Sequence, residues 1–298
     1  MTMSYKYSKF NVFYMNIYIE LNVNYLNIME YSKNIQASQD DKHGVSVIIP
    51  AYNEVKRIGS VLNDVTAFIS NNQLDWNVII AIDGDDGTAD LVSEFKKSFP
   101  FIIYLINKKR NGKGYAIKQA ILLNKNRIKD TVITMDADNS IKFEEITSNM
   151  GQLDNADIVI FNRYGKSNRI PFNRWFLGRT FNLMVRVILG LKISDTQSGY
   201  KIFRKNALID DINKTCINGA FFDVSLLYHA TVLGYRIKEV ESKTYRHGEG
   251  STFNTFKLTF DMLVSIFALK FRYSKIYEKL PERIINRMLD IYQRHIKL

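Results

Sequence analysis

The stretch VSVIIPAYNE, Val45–Glu54, decides how the chain is read. Val45–Pro50 is a short apolar run ended by proline, the pattern of a buried strand. A regular alternation follows it. Val55–Ser70 has helical spacing at Ile58, Val61, Leu62, Val65 and Ile69. Val78–Ile82 is strand-like, Thr88–Ser98 helical, Phe101–Ile106 a strand and Gly114–Asn124 a helix. Thr131–Met135 is a fourth strand, running into Asp136, and Ile158–Phe161 a fifth. Strands alternating with helices of this length predict an α/β fold with a mostly parallel, Rossmann-like sheet flanked by helices.

Such sheets bind ligands beyond the carboxyl ends of their strands. The residues at those ends are Ala51–Glu54, Asp83–Gly87, Asn107–Gly114, Asp136–Asp138 and Asn162–Arg163. Four of the five tips are polar, glycine-rich or acidic, which predicts one composite site along one edge. The second half is less regular. Pro171–Leu189 reads as an amphipathic helix, with Arg179 and Arg186 seven residues apart on one face. Asp223–Leu233 reads as a helix and Tyr235–Val240 as a strand, with Phe253–Tyr273 and Glu282–Ile296 as two terminal helices.

Composition narrows the function classes. The 298 residues are 46% hydrophobic and 24% charged, ordinary for a globular protein. One cysteine, Cys216, excludes a disulfide framework and a multi-cysteine zinc site. The net charge of +11 favours an anionic partner. That charge is regional. Asn162–Lys205 carries ten basic residues against Asp195 alone, and Ser251–Leu298 carries nine against four. Both regions hold long apolar runs, which fits a membrane surface better than nucleic acid. No run of 18 apolar residues is free of charge, so no membrane span is expected. The first 43 residues match neither a signal peptide nor a span and read as a flexible extension.

The sharpest local feature is Asp136-Ala137-Asp138 directly after a strand. Two carboxylates at i and i+2 on such a turn can converge on one divalent cation, Mg2+ or Mn2+, whose other ligands are phosphate oxygens and water. The competing reading makes Asp138 a helix cap and leaves Asp136 solvated. The loop Gly112-Lys113-Gly114 is neither a Walker loop nor a dinucleotide fingerprint. His229, inside an apolar helical run, reads as a packed core histidine, while His247 is a weaker candidate for a donor contact.

In order along the chain, VSVIIPAYNE, IDGDDGTAD, RNGKGYAI and MDADNS resemble the family 2 (GT-A fold) glycosyltransferases. DTQSGYKIFR (Asp195–Arg204), FFDVSLL (Phe221–Leu227) and EGS (Glu249–Ser251) resemble its dolichyl- or polyprenyl-phosphate sugar transferases, and the likeness spans Val45–Tyr273. The resemblance implies a GT-A domain over residues 44–250 and C-terminal amphipathic membrane-surface helices over 251–298. It implies that Pro50, Tyr52, Asn53, Glu54 and Asp83 form the nucleotide side of the donor pocket, with Lys113 near the diphosphate. Asp136 and Asp138 would hold the metal, Ser140 standing where some relatives place a third ligand. Arg163, with Arg174 and Arg204 as further candidates, would meet an acceptor phosphate. Asp195 would act as a base or orient the acceptor and an arginine, with Gln197 and Asp223 in the same pocket. Gly178 stands where a serine is usual, and Ser225 where the subgroup usually has glutamate.

The implied activity is inverting transfer of a hexose from a nucleotide-sugar, UDP-glucose before GDP-mannose, to a lipid phosphate at the cytosolic membrane surface, by a peripheral protein. A soluble or polysaccharide acceptor is the alternative within the same class. A non-catalytic membrane-binding protein is the alternative outside it. Nucleic acid is not an expected partner. The terminal helix can serve a homo-oligomer or pack on the catalytic domain.

Overall fold

Val45–Tyr52 forms strand β1, with Val47, Ile49 and Ala51 packed into one core and Ile48 into another on the opposite face. A strand covered on both sides needs no polar alternation, which is why this run is apolar almost throughout. Its one polar residue, Ser46, is fully buried and accepts a hydrogen bond from the Lys129 backbone N–H at 2.9 Å.

A computed structural model describes residues 44–165, 168, 170–212, 219, 221–246, 255–281 and 283–284. The expected extension 1–43, Cys216, His247, the Glu249–Ser251 turn and all but two residues of the helix expected at Glu282–Ile296 lie outside the described residues. From β1 the chain continues through α1 (Ile58–Asn71), β2 (Asn77–Asp83), α2 (Thr88–Ser98), β3 (Ile102–Asn107) and α3 (Lys113–Leu123). Then come β4 (Thr131–Thr134), α4 (Phe143–Ser148), a 3-10 turn (Met150–Asp154) and β5 (Ile158–Asn162). The remainder is α5 (Phe172–Leu189), β6 (Lys201–Arg204), α6 (Lys205–Ile212), α7 (Phe222–Val232), β7 (Ile237–Glu241), α8 (Thr255–Arg272) and α9 (Lys275–Glu278). The expected strands and helices fall within about three residues of these bounds. The short elements α4, β6 and α6 were not expected, because four to eight residues hold too little periodicity to read.

The seven strands lie in the order β3-β2-β1-β4-β6-β5-β7. β1 pairs in parallel with β2 and β4, β2 with β3, and β5 with β7, whereas β6 runs antiparallel to both β4 and β5. The mostly parallel sheet expected from the sequence is therefore present, with one reversed strand near its middle. Helices α1, α2 and α4 cover one face, and α3, α6 and α7 the other. A third apolar cluster joins α5, α7 and α8 through Phe181, Val185, Val224, Tyr228, Ile266 and Leu269. Gly190, at φ 76°, closes α5 in the left-handed conformation that glycine takes without strain.

Ile79 on β2 has no exposure, and its strand lies between β1 and β3. Ile79→Ala is expected to cost about 2–5 kcal/mol by urea unfolding, as a lower midpoint at unchanged slope. A loss under about 1 kcal/mol would mean that this core collapses around the cavity.

Candidate active site

The strand tips do converge on one edge, and the reversed strand β6 supplies their floor. Thr134, at the end of β4, pairs with Lys201 at the start of β6, so the turn before β6 lies beside Asp136–Asp138. Gly199 sits flush against the Asp136 carboxylate, and a Cβ there would collide with both carboxylate oxygens. Tyr200, 1% exposed, donates its hydroxyl to Asp138 Oδ1 at 2.8 Å, and the Ser140 N–H donates to the same oxygen at 3.0 Å. Asp138 is thus oriented by a tyrosine and a turn amide. It does not cap α4, whose N-cap is Lys142.

Lys113, the first residue of α3, spans two carboxylates. Its Nζ lies 2.8 Å from Asp136 Oδ1 and 3.0 Å from Asp223 Oδ2. Burial disfavours the Lys113 charge, but Asp136 and Asp223 outweigh it and hold the ammonium well above the usual lysine range. Asp223 opens α7 and also meets Lys201 Nζ at 2.6 Å. Its burial disfavours ionisation, yet Lys113 and Lys201 overcome that and hold its carboxyl below the ordinary range. The approach of α3 to α7 depends on Gly114, where a Cβ would strike Phe222.

Asp136 and Asp138 fit a divalent cation. Both carboxylates press on the same neighbours: Glu54, Tyr200 and Tyr245. Glu54 titrates above the usual range, chiefly through burial and also through these two charges, against the opposing pull of Arg57. The Asp136 side chain is one-third exposed, so the pair faces open space where phosphate oxygens and water can complete a coordination sphere. No group of three or more potential metal ligands occurs among the described residues. Ser140 is buried, and it reaches Asp138 through its backbone N–H, which also approaches the Tyr200 hydroxyl at 2.8 Å.

The neighbouring tips build a polar cleft. Asp83, 3% exposed, accepts from Asn107 Nδ2 at 3.0 Å and from the Asn111 N–H at 2.9 Å, tying the β2 tip to the loop before Lys113. Of the acidic run 83–86, Asp86 is structural: it accepts from the N–H of Val55 and from both the N–H and hydroxyl of Thr88. Asn53 has φ 53°, with its N–H on the Asp83 carbonyl, and its side chain fills the space a Cβ would need at Gly84. Pro50 pairs in register with Ala81 inside the sheet. Glu54 grips Arg57 through both oxygens at 2.7 and 2.8 Å. Tyr52 is exposed at the end of β1, with the Arg110 guanidinium 4.4 Å over its ring.

A second charged centre follows β5. Asp195 has no exposure and accepts four N–H groups: from Arg163 N, Nε and Nη2 at 3.0, 2.7 and 2.9 Å, and from Gln197 N at 3.3 Å. Glu239 on β7 anchors this turn by accepting from the N–H groups of Ser194 and Asp195. With its lone pairs taken, Asp195 is built to aim an arginine. Arg163 and Arg179 both flank the Tyr164 ring, at 5.9 and 5.6 Å. Burial foremost, with Asp195 nearby, lifts the Tyr164 phenol to about 12. A Cβ at Gly178 would meet that phenol, so a larger residue here would require the Tyr164 ring to shift. Burial foremost raises the Tyr245 phenol, with Asp138, Asp195 and Asp136 adding to it and Arg163 opposing.

Arg204 does not join them. Register pairs it with Thr131, the first residue of β4, at the opposite edge of the sheet. There it donates to the Leu153 and Ala156 carbonyls. The antiparallel run of β6 carries the chain away from the site, which sequence order alone does not reveal. Arg174 is exposed on the first turn of α5, where Phe172 stacks on Trp175 and Phe176. His229 is a core residue, 1% exposed, hydrogen-bonded to the Tyr273 hydroxyl. Tyr200, Lys201, Glu239 and Tyr245 are the residues that the sequence reading gave no role. The first two lie inside DTQSGYKIFR, whereas Glu239 and Tyr245 carry no local signal.

Paired carboxylates at one strand tip and an aimed arginine at another thus line one edge of the sheet. The Glycosyl transferase family 2 model matches residues 46–211, and the chain belongs to that family. A dolichyl-phosphate beta-glucosyltransferase of Dictyostelium discoideum is 30% identical over 249 residues, covering 77% of this chain and 74% of that protein. An undecaprenyl-phosphate mannosyltransferase of Micrococcus luteus is 28% identical over 201 residues, covering 66% and 81%. Among solved structures, Mycobacterium tuberculosis glucosyl-3-phosphoglycerate synthase superposes with a TM-score of 0.57 at 16% identity, covering 76% and 80%. The mannosyltransferase PcManGT of Pyrobaculum calidifontis, solved with GDP-Man and Mn2+, superposes at 0.53 and 16% identity, covering 85% and 72%. These likenesses agree on the GT-A fold.

Arg163→Met would strand a carboxylate that has no exposure. The expected loss is about 3–5 kcal/mol in urea unfolding. A loss below about 1 kcal/mol would mean that Asp195 finds another partner or reaches water.

Proposed function

We propose that this glycosyltransferase is a metal-dependent, inverting enzyme that moves a hexose from a nucleotide diphosphate sugar to dolichyl or polyprenyl phosphate, as a peripheral protein on the cytosolic face of a membrane. UDP-glucose is the first donor and GDP-mannose the second. The observation that carries the reading is the pair of charged centres at the strand tips, Asp136–Asp138 with Lys113 and Arg163 with Asp195. The named relatives act on lipid phosphates with glucosyl and mannosyl groups, which supports the acceptor class and leaves two donors to be tried.

Each half has its task. Asp136 and Asp138 would hold Mg2+ or Mn2+, which when bound would neutralise charge on the departing nucleoside diphosphate. Lys113 adds a protein cation on the same side, while the Asp83 and Asn53 tip borders the nucleotide. Arg163, held by Asp195, presents the outer side of its guanidinium to the acceptor phosphate and aligns one phosphate oxygen for in-line attack on the anomeric carbon. A phosphate monoester is already mostly ionised near neutral pH, so no general base is required, and Asp195 serves as the arginine's aim.

The membrane side of the proposal rests on α5 and α8. Phe172, Trp175, Phe176, Leu183 and Val187 are exposed on α5, beside Arg179 and Arg186. On α8, Ile266 and Leu269 turn inward while Phe267 and Lys270 are exposed. Aromatic and basic side chains on one surface suit the headgroup region of an anionic bilayer. No helix among the described residues is long and apolar enough to cross a membrane.

The test is transfer from radiolabelled UDP-glucose to vesicles containing dolichyl phosphate, with Mn2+. A lipid-extractable glycolipid is expected, with a loss of at least about 100-fold in Asp138→Ala. Product from GDP-mannose alone would overturn the first donor. Product on a soluble acceptor alone would overturn the acceptor.

A further inference from the structure

Lys201 is a lysine with no exposure, in the middle of a sheet, and the chemistry above gives it no task. Its backbone is fixed on both sides, paired with Thr134 on β4 and Ile160 on β5. Its ammonium donates to the Ser198 carbonyl and to Asp223 Oδ1, the latter at 2.6 Å. The other Asp223 oxygen takes Lys113, and Lys113 reaches on to Asp136. Four groups therefore form one chain, Lys201–Asp223–Lys113–Asp136, two lysines alternating with two carboxylates; burial pulls the Lys201 pKa down, against the opposing pull of Asp223. One end is locked in the sheet and the other is a carboxylate of the proposed metal pair.

We propose that Lys201 is a positioning residue: by neutralising Asp223 from behind, it sets how Lys113 is divided between Asp223 and Asp136. The inference rests on the reading of Asp136 and Asp138 as the cation-binding pair. With Lys201 present, Asp223 is already matched and Lys113 can lean toward Asp136 and the cleft. Lys113 then acts as a resident cation at Asp136, restrains metal binding in the absence of donor, and turns to the diphosphate when a metal claims that carboxylate. Without Lys201, Asp223 has Lys113 as its remaining lysine partner and draws it back. Asp136 is then freed for metal, and a phosphate in the cleft meets less positive charge.

This makes the affinities for metal and for diphosphate move in opposite directions, which loosening of the fold does not do. The full chain is titrated with Mn2+ alone, followed by the free-ion electron paramagnetic resonance signal, and separately with UDP in the absence of metal. Lys201→Met is expected to tighten Mn2+ by about fivefold and to weaken metal-free UDP by a similar factor. Lys113→Met is expected to tighten Mn2+ by about tenfold and to weaken UDP. In the double variant, the further effect of Lys201→Met on Mn2+ should shrink to under about twofold, because the lysine through which it acts is gone. An equal effect in both backgrounds would overturn the proposal in favour of a direct field from Lys201, and weakening of both ligands would overturn it in favour of a structural role. If Lys201→Met does not fold, Asp223→Asn reads the same coupling from the other side. It should weaken Mn2+ in the native background and leave it unchanged with Lys113→Met, and equal weakening in both overturns the proposal. Absence of any Mn2+ binding by the unaltered protein would instead overturn the metal assignment beneath it.

Discussion

The antiparallel pairing of β6 with β4 is the constraint on which the site depends. A parallel strand at this position would bring its carboxyl end to the site. β6 brings its amino end, and with it the turn Ser198-Gly199-Tyr200-Lys201. Four consecutive residues then act on four different groups. The Ser198 carbonyl holds Lys201, Gly199 leaves room for Asp136, the Tyr200 hydroxyl orients Asp138, and Lys201 backs Asp223. Because the strand is hydrogen-bonded on both edges, these contacts are as rigid as the sheet.

Charge is handled differently at the two centres. Around Asp223 the buried charges form an alternating chain, so each carboxylate is matched and the desolvation cost is shared. Around Asp195 a single carboxylate is saturated by four N–H donors, and its partner Arg163 keeps part of its side chain exposed. The first arrangement suits a site that must admit a cation and a diphosphate, since an internal lysine can yield its place. The second suits a fixed cation for a dianionic phosphate, because a bidentate fork holds the guanidinium in one plane.

The net charge of +11 acquires a location in this arrangement. The sheet half carries the acidic tips, while the excess of arginine gathers on α5 and the segments around it. Their basic side chains share a surface with exposed aromatic rings. Gly178 belongs to that same surface. It lets Tyr164 lie between Arg163 and Arg179, so the position where a serine is usual serves packing in this chain.

The sequence alone determined the five parallel strands and the helices that follow four of them, because buried strands and amphipathic helices write their periods into the chain over enough residues to be read. It also determined the tips, since parallel topology fixes which strand ends face the ligand. Asp136, Asp138, Lys113, Asp83 and Arg163 were legible for that reason. The direction of β6 was not, since four residues flanked by loops carry no sign of their orientation. Arg204 was consequently expected at the site and lies at the far edge, while Tyr200 and Lys201, four and three residues earlier, are at its centre. Only the tertiary structure decided that Asp195 clamps Arg163, that Glu239 holds Asp195, and that Lys113 is shared between carboxylates 87 residues apart in sequence. Those contacts join distant segments through single side chains, and a local pattern cannot record them.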